Sequence, residues 1–119
     1  MLFRSALARF LAAGPQIGSF TASPNPVSAG SSVTLTASSI TDANAGATIT
    51  QVAFHVDSNG DGVLDSGDAL LGYGRQSSTG TWTFTFSASG TAGTYTLFAV
   101  ATDSYGVLGD PLAATLQVI

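Results

Sequence analysis

The 119-residue chain has no cysteine, no lysine and no glutamate. Without cysteine there is no disulfide framework, no thiolate zinc site and no cysteine nucleophile. Three arginines and a net charge of −4 give no basic surface for phosphates, which argues against nucleic-acid binding. No apolar run approaches the roughly 20 residues that a membrane-spanning helix needs. Charged residues make up only 8% of the chain, against roughly 25% in an average globular domain. All seven acids are aspartate, and four of them fall within twelve positions.

What remains is apolar and hydroxyl-rich. Apolar residues account for 45%, with 15 threonines, 15 serines, 18 alanines and 14 glycines. That is enough for one modest core, and the length fits one domain. Positive mean hydropathy and regularly spaced aromatics argue against disorder.

Residues 1–14 differ from the rest. Leu2, Phe3, Ala6, Leu7, Phe10 and Leu11 would form one stripe on a helix, and Gly14-Pro15 is a stop signal. The segment reads as a short amphipathic helix that packs on the domain or a partner, as a secretory signal interrupted by Arg9, or as a start-site remnant. Residues 1–15 are accordingly set apart from a domain over 16–119.

From residue 16 the period becomes two. Val33, Leu35 and Ala37 alternate with threonine, as do Trp82, Phe84 and Phe86, while Val52, Phe54 and Val56 flank Ala53 and His55. With stretches 16–22, 70–74, 94–102 and 112–119, these predict seven short strands separated by Gly-, Pro-, Asn- and Ser-rich turns. The expectation is all-β: a seven-stranded antiparallel sandwich. Trp82 is expected to be the largest core residue. Stretch 94–102 is apolar on both faces, which marks a central or covered strand. His55, Phe98 and Val100 would then share an outer face, read as scattered surface apolars, as a patch covered by residues 1–14, or as a contact surface for another domain or subunit.

Ala22-Ser23-Pro24-Asn25-Pro26-Val27, Ala29-Gly30-Ser31-Ser32-Val33-Thr34-Leu35-Thr36-Ala37, Val52-Ala53-Phe54-His55-Val56-Asp57 and the run from Ala92-Gly93-Thr94-Tyr95 to Thr102-Asp103 resemble a bacterial immunoglobulin-like repeat. Such repeats occur in tandem in long secreted or surface proteins, notably of planctomycete-like bacteria, and the resemblance spans about four-fifths of the chain. It implies an immunoglobulin-like fold, an extracellular or cell-surface setting, and neighbouring repeats or copies of the chain as partners. It says little about activity, because such sandwiches host many roles. In this frame Gly30 supplies a tight turn, Pro24 and Pro26 break the first strand, and Tyr95 is a corner tyrosine or plain core.

One stretch carries chemistry. Asp57-Ser58-Asn59-Gly60-Asp61-Gly62-Val63-Leu64-Asp65-Ser66-Gly67-Asp68 fits the calcium-loop template D-x-[DN]-x-[DN]-G. Asp57, Asn59, Asp61, Asp65 and Asp68 place side-chain oxygens at loop positions 1, 3, 5, 9 and 12, and the Val63 carbonyl supplies position 7. Ca²⁺ takes six to eight hard oxygens, and Gly62 permits the sharp turn. Leu64 is expected to point inward and anchor the loop to the core. The loop joins strands rather than helices and ends in Asp68 rather than Glu, so it resembles the Asp-rich loops of dockerins and thrombospondin-type repeats. The bland alternative is an Asx- and Gly-rich hairpin loop that binds nothing. Asp42, Asp103 and Asp110 read as ordinary turn residues.

His55 is the one candidate general base, mid-strand among apolar residues, and no G-x-S-x-G elbow is present. The chain therefore reads as non-enzymatic: a structural or adhesive module with a Ca²⁺-binding loop. The alternatives are a self-assembling subunit of a surface filament that uses residues 1–14 and the outer sheet face, and a module for a surface glycan or protein ligand.

Overall fold

Threonine–apolar alternation produces two strands that lie side by side, β2 (Ser32–Ser38) and β6 (Thr81–Ser87). Their register sets Val33 opposite Phe86, Leu35 opposite Phe84 and Ala37 opposite Trp82, so one face is entirely apolar. The other face pairs Thr34 with Thr85, whose hydroxyls lie 3.1 Å apart. A one-residue slip would turn every one of these side chains to the wrong face, and this fixes the register. Strands β1 (Ser19–Ser23) and β5 (Arg75–Ser78) complete a sheet of order β1-β2-β6-β5. The second sheet, of order β4-β3-β7-β8, is built from β3 (Ile49–Val56), β4 (Ala69–Tyr73), β7 (Gly93–Asp103) and β8 (Leu112–Val118). This is a computed structural model that describes residues 14–119; the expected amphipathic or signal segment 1–13 lies outside the described residues.

Eight strands form where the alternation predicts seven. The addition is β5, whose Arg75-Gln76-Ser77-Ser78 has no apolar side chain and is exposed throughout. Backbone pairing with β6 makes it a strand. The chain leaves β4 in one sheet, passes Gly74 and joins β5 in the other. A Cβ on Gly74 would lie 2.9 Å from the Phe54 ring and 3.2 Å from the Thr83 carbonyl oxygen, so the crossing needs glycine. A second crossing follows β1. Past Pro24 and Pro26, Val27 bridges in parallel to Val118 of the second sheet. Its N–H donates to the Gln117 carbonyl at 2.9 Å, and its own carbonyl accepts the Ile119 N–H at 2.8 Å.

Between the sheets lie Phe20, Leu35, Val52, Phe54, Leu97 and Leu116. Phe54 is wholly buried, its ring centroid 5.7 Å from that of Phe20 and 5.9 Å from that of Phe84. Trp82 joins this core as expected. Tyr95 is a corner tyrosine: its ring packs against the core while its hydroxyl donates to the Thr91 carbonyl at 2.7 Å.

The strand directions define two poles. Loops 24–31, 57–68 and 88–92 gather at one, together with Ile119; Gly14 and loops 39–48 and 104–111 lie at the other. At this second pole Asp103 departs from the expectation of an ordinary turn residue. It is 1% exposed, and its carboxylate accepts N–H groups of Tyr105 and Val107, both at 2.9 Å, and the Asn44 side-chain amide at 3.2 Å. The loop after β2 folds across it, a contact between residues 59 positions apart.

Candidate metal centre

The loop between β3 and β4 is coiled by its own aspartates. Asp57 follows the last residue of β3, and its two oxygens accept the N–H of Gly60 at 3.0 Å and of Gly62 at 2.8 Å. Gly60 and Gly62 have φ of 72° and 76°, the left-handed region that the template assigns to a glycine. Asp61 accepts the Val63 N–H at 3.0 Å. Asp68, just before β4, closes the loop by accepting the Ser58 N–H at 3.0 Å and the Asp65 N–H at 3.1 Å.

These turns bring carboxylates together. Asp57, Asp61 and Asp68 each offer an oxygen, and the three oxygens lie within 4.8 Å of one another. Asp65 stands at hydrogen-bond range of Asp61. Its two oxygens also accept the Asn59 amide, both at 3.1 Å, and one takes the Gly67 N–H at 3.0 Å. The Asn59 oxygen accepts the Asp61 N–H at 3.3 Å. Of the six candidate ligands, then, three converge, Asn59 and Asp65 bond to each other beside them, and Val63 stands 62% exposed with its N–H on Asp61.

Crowding of like charge shows in the acids themselves. The Val63 N–H holds the Asp61 carboxyl down, but the Asp65 carboxyl, desolvation and the charges of Asp65 and Asp57 outweigh it. Asp61 therefore binds its proton more tightly than an ordinary aspartate. Asp65 moves the other way, held down by Asp61, the Asn59 amide and the Gly67 N–H against some desolvation. Hard oxygens at this spacing suit a hard divalent cation, which would neutralise the repulsion.

Leu64 does not anchor the loop to the core as expected. It lines a recess of about 390 Å³ on the outer face of the second sheet, with His55, Leu70, Tyr73, Val100 and Leu108. The core is filled by strand residues together with Ile17, Val27, Ile40 and Ala88, and none of it comes from the 57–68 loop; that loop folds instead onto the outer face, which is apolar through Ala53, Phe98 and Val100. His55 lies opposite Phe98 in the register, so the expected shared outer face exists; Phe98 and Val100 are 4% and 6% exposed. Burial pushes the His55 imidazole below its ordinary value, with the Asp68 charge opposing.

No family model and no curated protein matches the chain. Solved structures do. The fibronectin(III)-like modules of Clostridium thermocellum CbhA superpose with a TM-score of 0.58 at 16% identity, over 84% of this chain and 93% of that one. The superoxide reductase (neelaredoxin) of Ignicoccus hospitalis gives 0.58 at 16% identity, over 89% and 80%. At such identity the likeness establishes an all-β, immunoglobulin-like sandwich, and a fold shared by a module and an enzyme assigns neither role.

Proposed function

We propose that the chain is a non-enzymatic structural module of a bacterial extracellular or cell-surface protein, and that its 57–68 loop binds Ca²⁺. The convergence of Asp57, Asp61 and Asp68 carries this reading. Those three acids would hold the ion, with Asn59, Asp65 and the Val63 carbonyl completing the oxygen set. The ion supplies charge neutralisation and a cross-link from the end of β3 to the start of β4. Its role is stiffness at one pole, not chemistry.

Isothermal titration with calcium chloride tests the site. Binding is expected at about 10⁻⁴–10⁻³ M, the range of extracellular modules. With calcium at about ten times that constant, linkage adds about 1.4 kcal/mol to stability. Asp57→Ala and Asp61→Ala should remove both the heat and the calcium-dependent rise in melting temperature. A wild-type chain that gives neither signal would sink the assignment.

Neighbouring modules or copies of the chain are the partners this reading implies. The exposed Leu70, Tyr73 and Leu108 around the outer-face recess support it, because they form an apolar rim on an otherwise hydroxyl-rich surface. Sedimentation velocity distinguishes the two cases. A spacer stays monomeric at all concentrations, whereas association through the rim gives larger species that Tyr73→Asp disperses.

A further inference from the structure

The pole away from the metal loop holds a second pair of acids. Asp103, buried at the end of β7, accepts three N–H donors, from Tyr105, Val107 and Asn44. Asp42, in the loop after β2, lies beside it: Asn44 bonds to both acids, and the two carboxyls stand at hydrogen-bond range of each other. One Asp42 oxygen takes the Asn44 backbone N–H at 2.8 Å. The other, Oδ2, is buried and has no partner among the described residues unless it carries a hydrogen. Gln16 and Thr41 adjoin Asp42, and the Tyr105 hydroxyl donates to the Ala45 carbonyl. Among the described residues no cation is paired with either acid.

Two carboxylates that share a desolvated site cannot both ionise cheaply. We propose that Asp42 and Asp103 hold one proton between them, donated from Asp42 to the Asp103 carboxylate. The pair is then a pH-gated clasp joining the β2–β3 loop to the β7–β8 turn. Asp103 must stay ionised to serve its three donors, so the proton resides on Asp42. The directions of titration agree: desolvation, with help from the Asp103 carboxyl and charge, raises Asp42 against the Asn44 backbone N–H and side-chain amide, which hold it down. Asp103 is lowered despite its own desolvation, because the Val107 N–H, Asp42, Asn44 and the Tyr105 N–H hold it down.

The sign of the effect follows by linkage. Asp42, raised on folding, contributes stability below its unfolded value and loses it as pH climbs through its folded value. Asp103, lowered on folding, contributes above its unfolded value and loses it as pH falls through its folded value. The clasp is therefore closed between these two folded values and loosens as pH rises above the upper one.

Asp42→Asn tests the idea, because its amide donates permanently where the shared hydrogen would lie. Melting temperatures of wild type and variant, compared between about pH 4 and about pH 7.5 in chelator, cancel the titration of the metal-loop acids. The variant should match wild type at the acid end and melt higher at the neutral end by roughly 3–6 °C. A carbon-13 titration of the wild-type carboxyls should show Asp42 above the ordinary aspartate value. A variant that melts lower than wild type at neutral pH, or an Asp42 that titrates at or below the ordinary value, overturns the proposal. Neither result bears on calcium, so the two readings fail separately.

Discussion

Phe54→Ala is expected to cost about 3–5 kcal/mol, measured by equilibrium denaturation. The side chain is wholly buried, and its ring lies between those of Phe20 and Phe84, which belong to the opposite sheet. Removing it takes away the apolar area that bonds the sheets and leaves a cavity whose walls are strands, which collapse poorly. Domains of this size are stable by only about 5–15 kcal/mol, so a large share of the total is lost. A cost below about 1 kcal/mol would show that the sheets are held together elsewhere.

Asp103→Ala is expected to have a comparable effect by a different route, lowering the melting temperature by roughly 10 °C. The substitution removes no apolar contact of note. It orphans the N–H groups of Tyr105 and Val107 and the Asn44 amide, in a place the carboxylate had sealed at 1% exposure. Loop 41–48 then loses its Asn44 link to the β7–β8 turn, while the bonds of Tyr105 to Ala45 and of Ser104 to Thr48 remain. Far-ultraviolet circular dichroism at low temperature should remain that of the wild type, since the ladders of β3 and β7 are untouched. A melting temperature within about 2 °C of wild type would mean that water replaces the carboxylate without cost.

The same two residues show what the sequence makes legible. Phe54 sits in a period-two run that marks its strand and its buried face, and β2, β3 and β6 are readable for that reason. Asp103 follows an apolar run and precedes Ser-Tyr-Gly, which reads as a turn, and its burial depends on a loop brought up from 59 residues away. Nothing local records that contact. Strand β5 is hidden for a related reason: its order comes from backbone pairing after the chain crosses at Gly74, while its side chains are those of a loop. The metal loop is legible in its ligand spacing, because Asx turns act over two to five residues. Where Leu64 would rest is not, because loop template and sheet face are separate parts of the chain.

The parallel bridge between Val27 and Val118 has a mechanical consequence. Gly14 and Ile119 lie at opposite poles, so tension between them runs along the strand axes. It draws β1 along β2 and the 27–29 segment along the end of β8. The bonds of Val27 to Gln117 and Ile119, and of Ala29 to Ile119, lie side by side across that pull. They are loaded together in shear rather than opened one after another like a zip. A small number of hydrogen bonds placed this way resists extension far better than the same number at the tip of a hairpin, and the first yielding event should be abrupt.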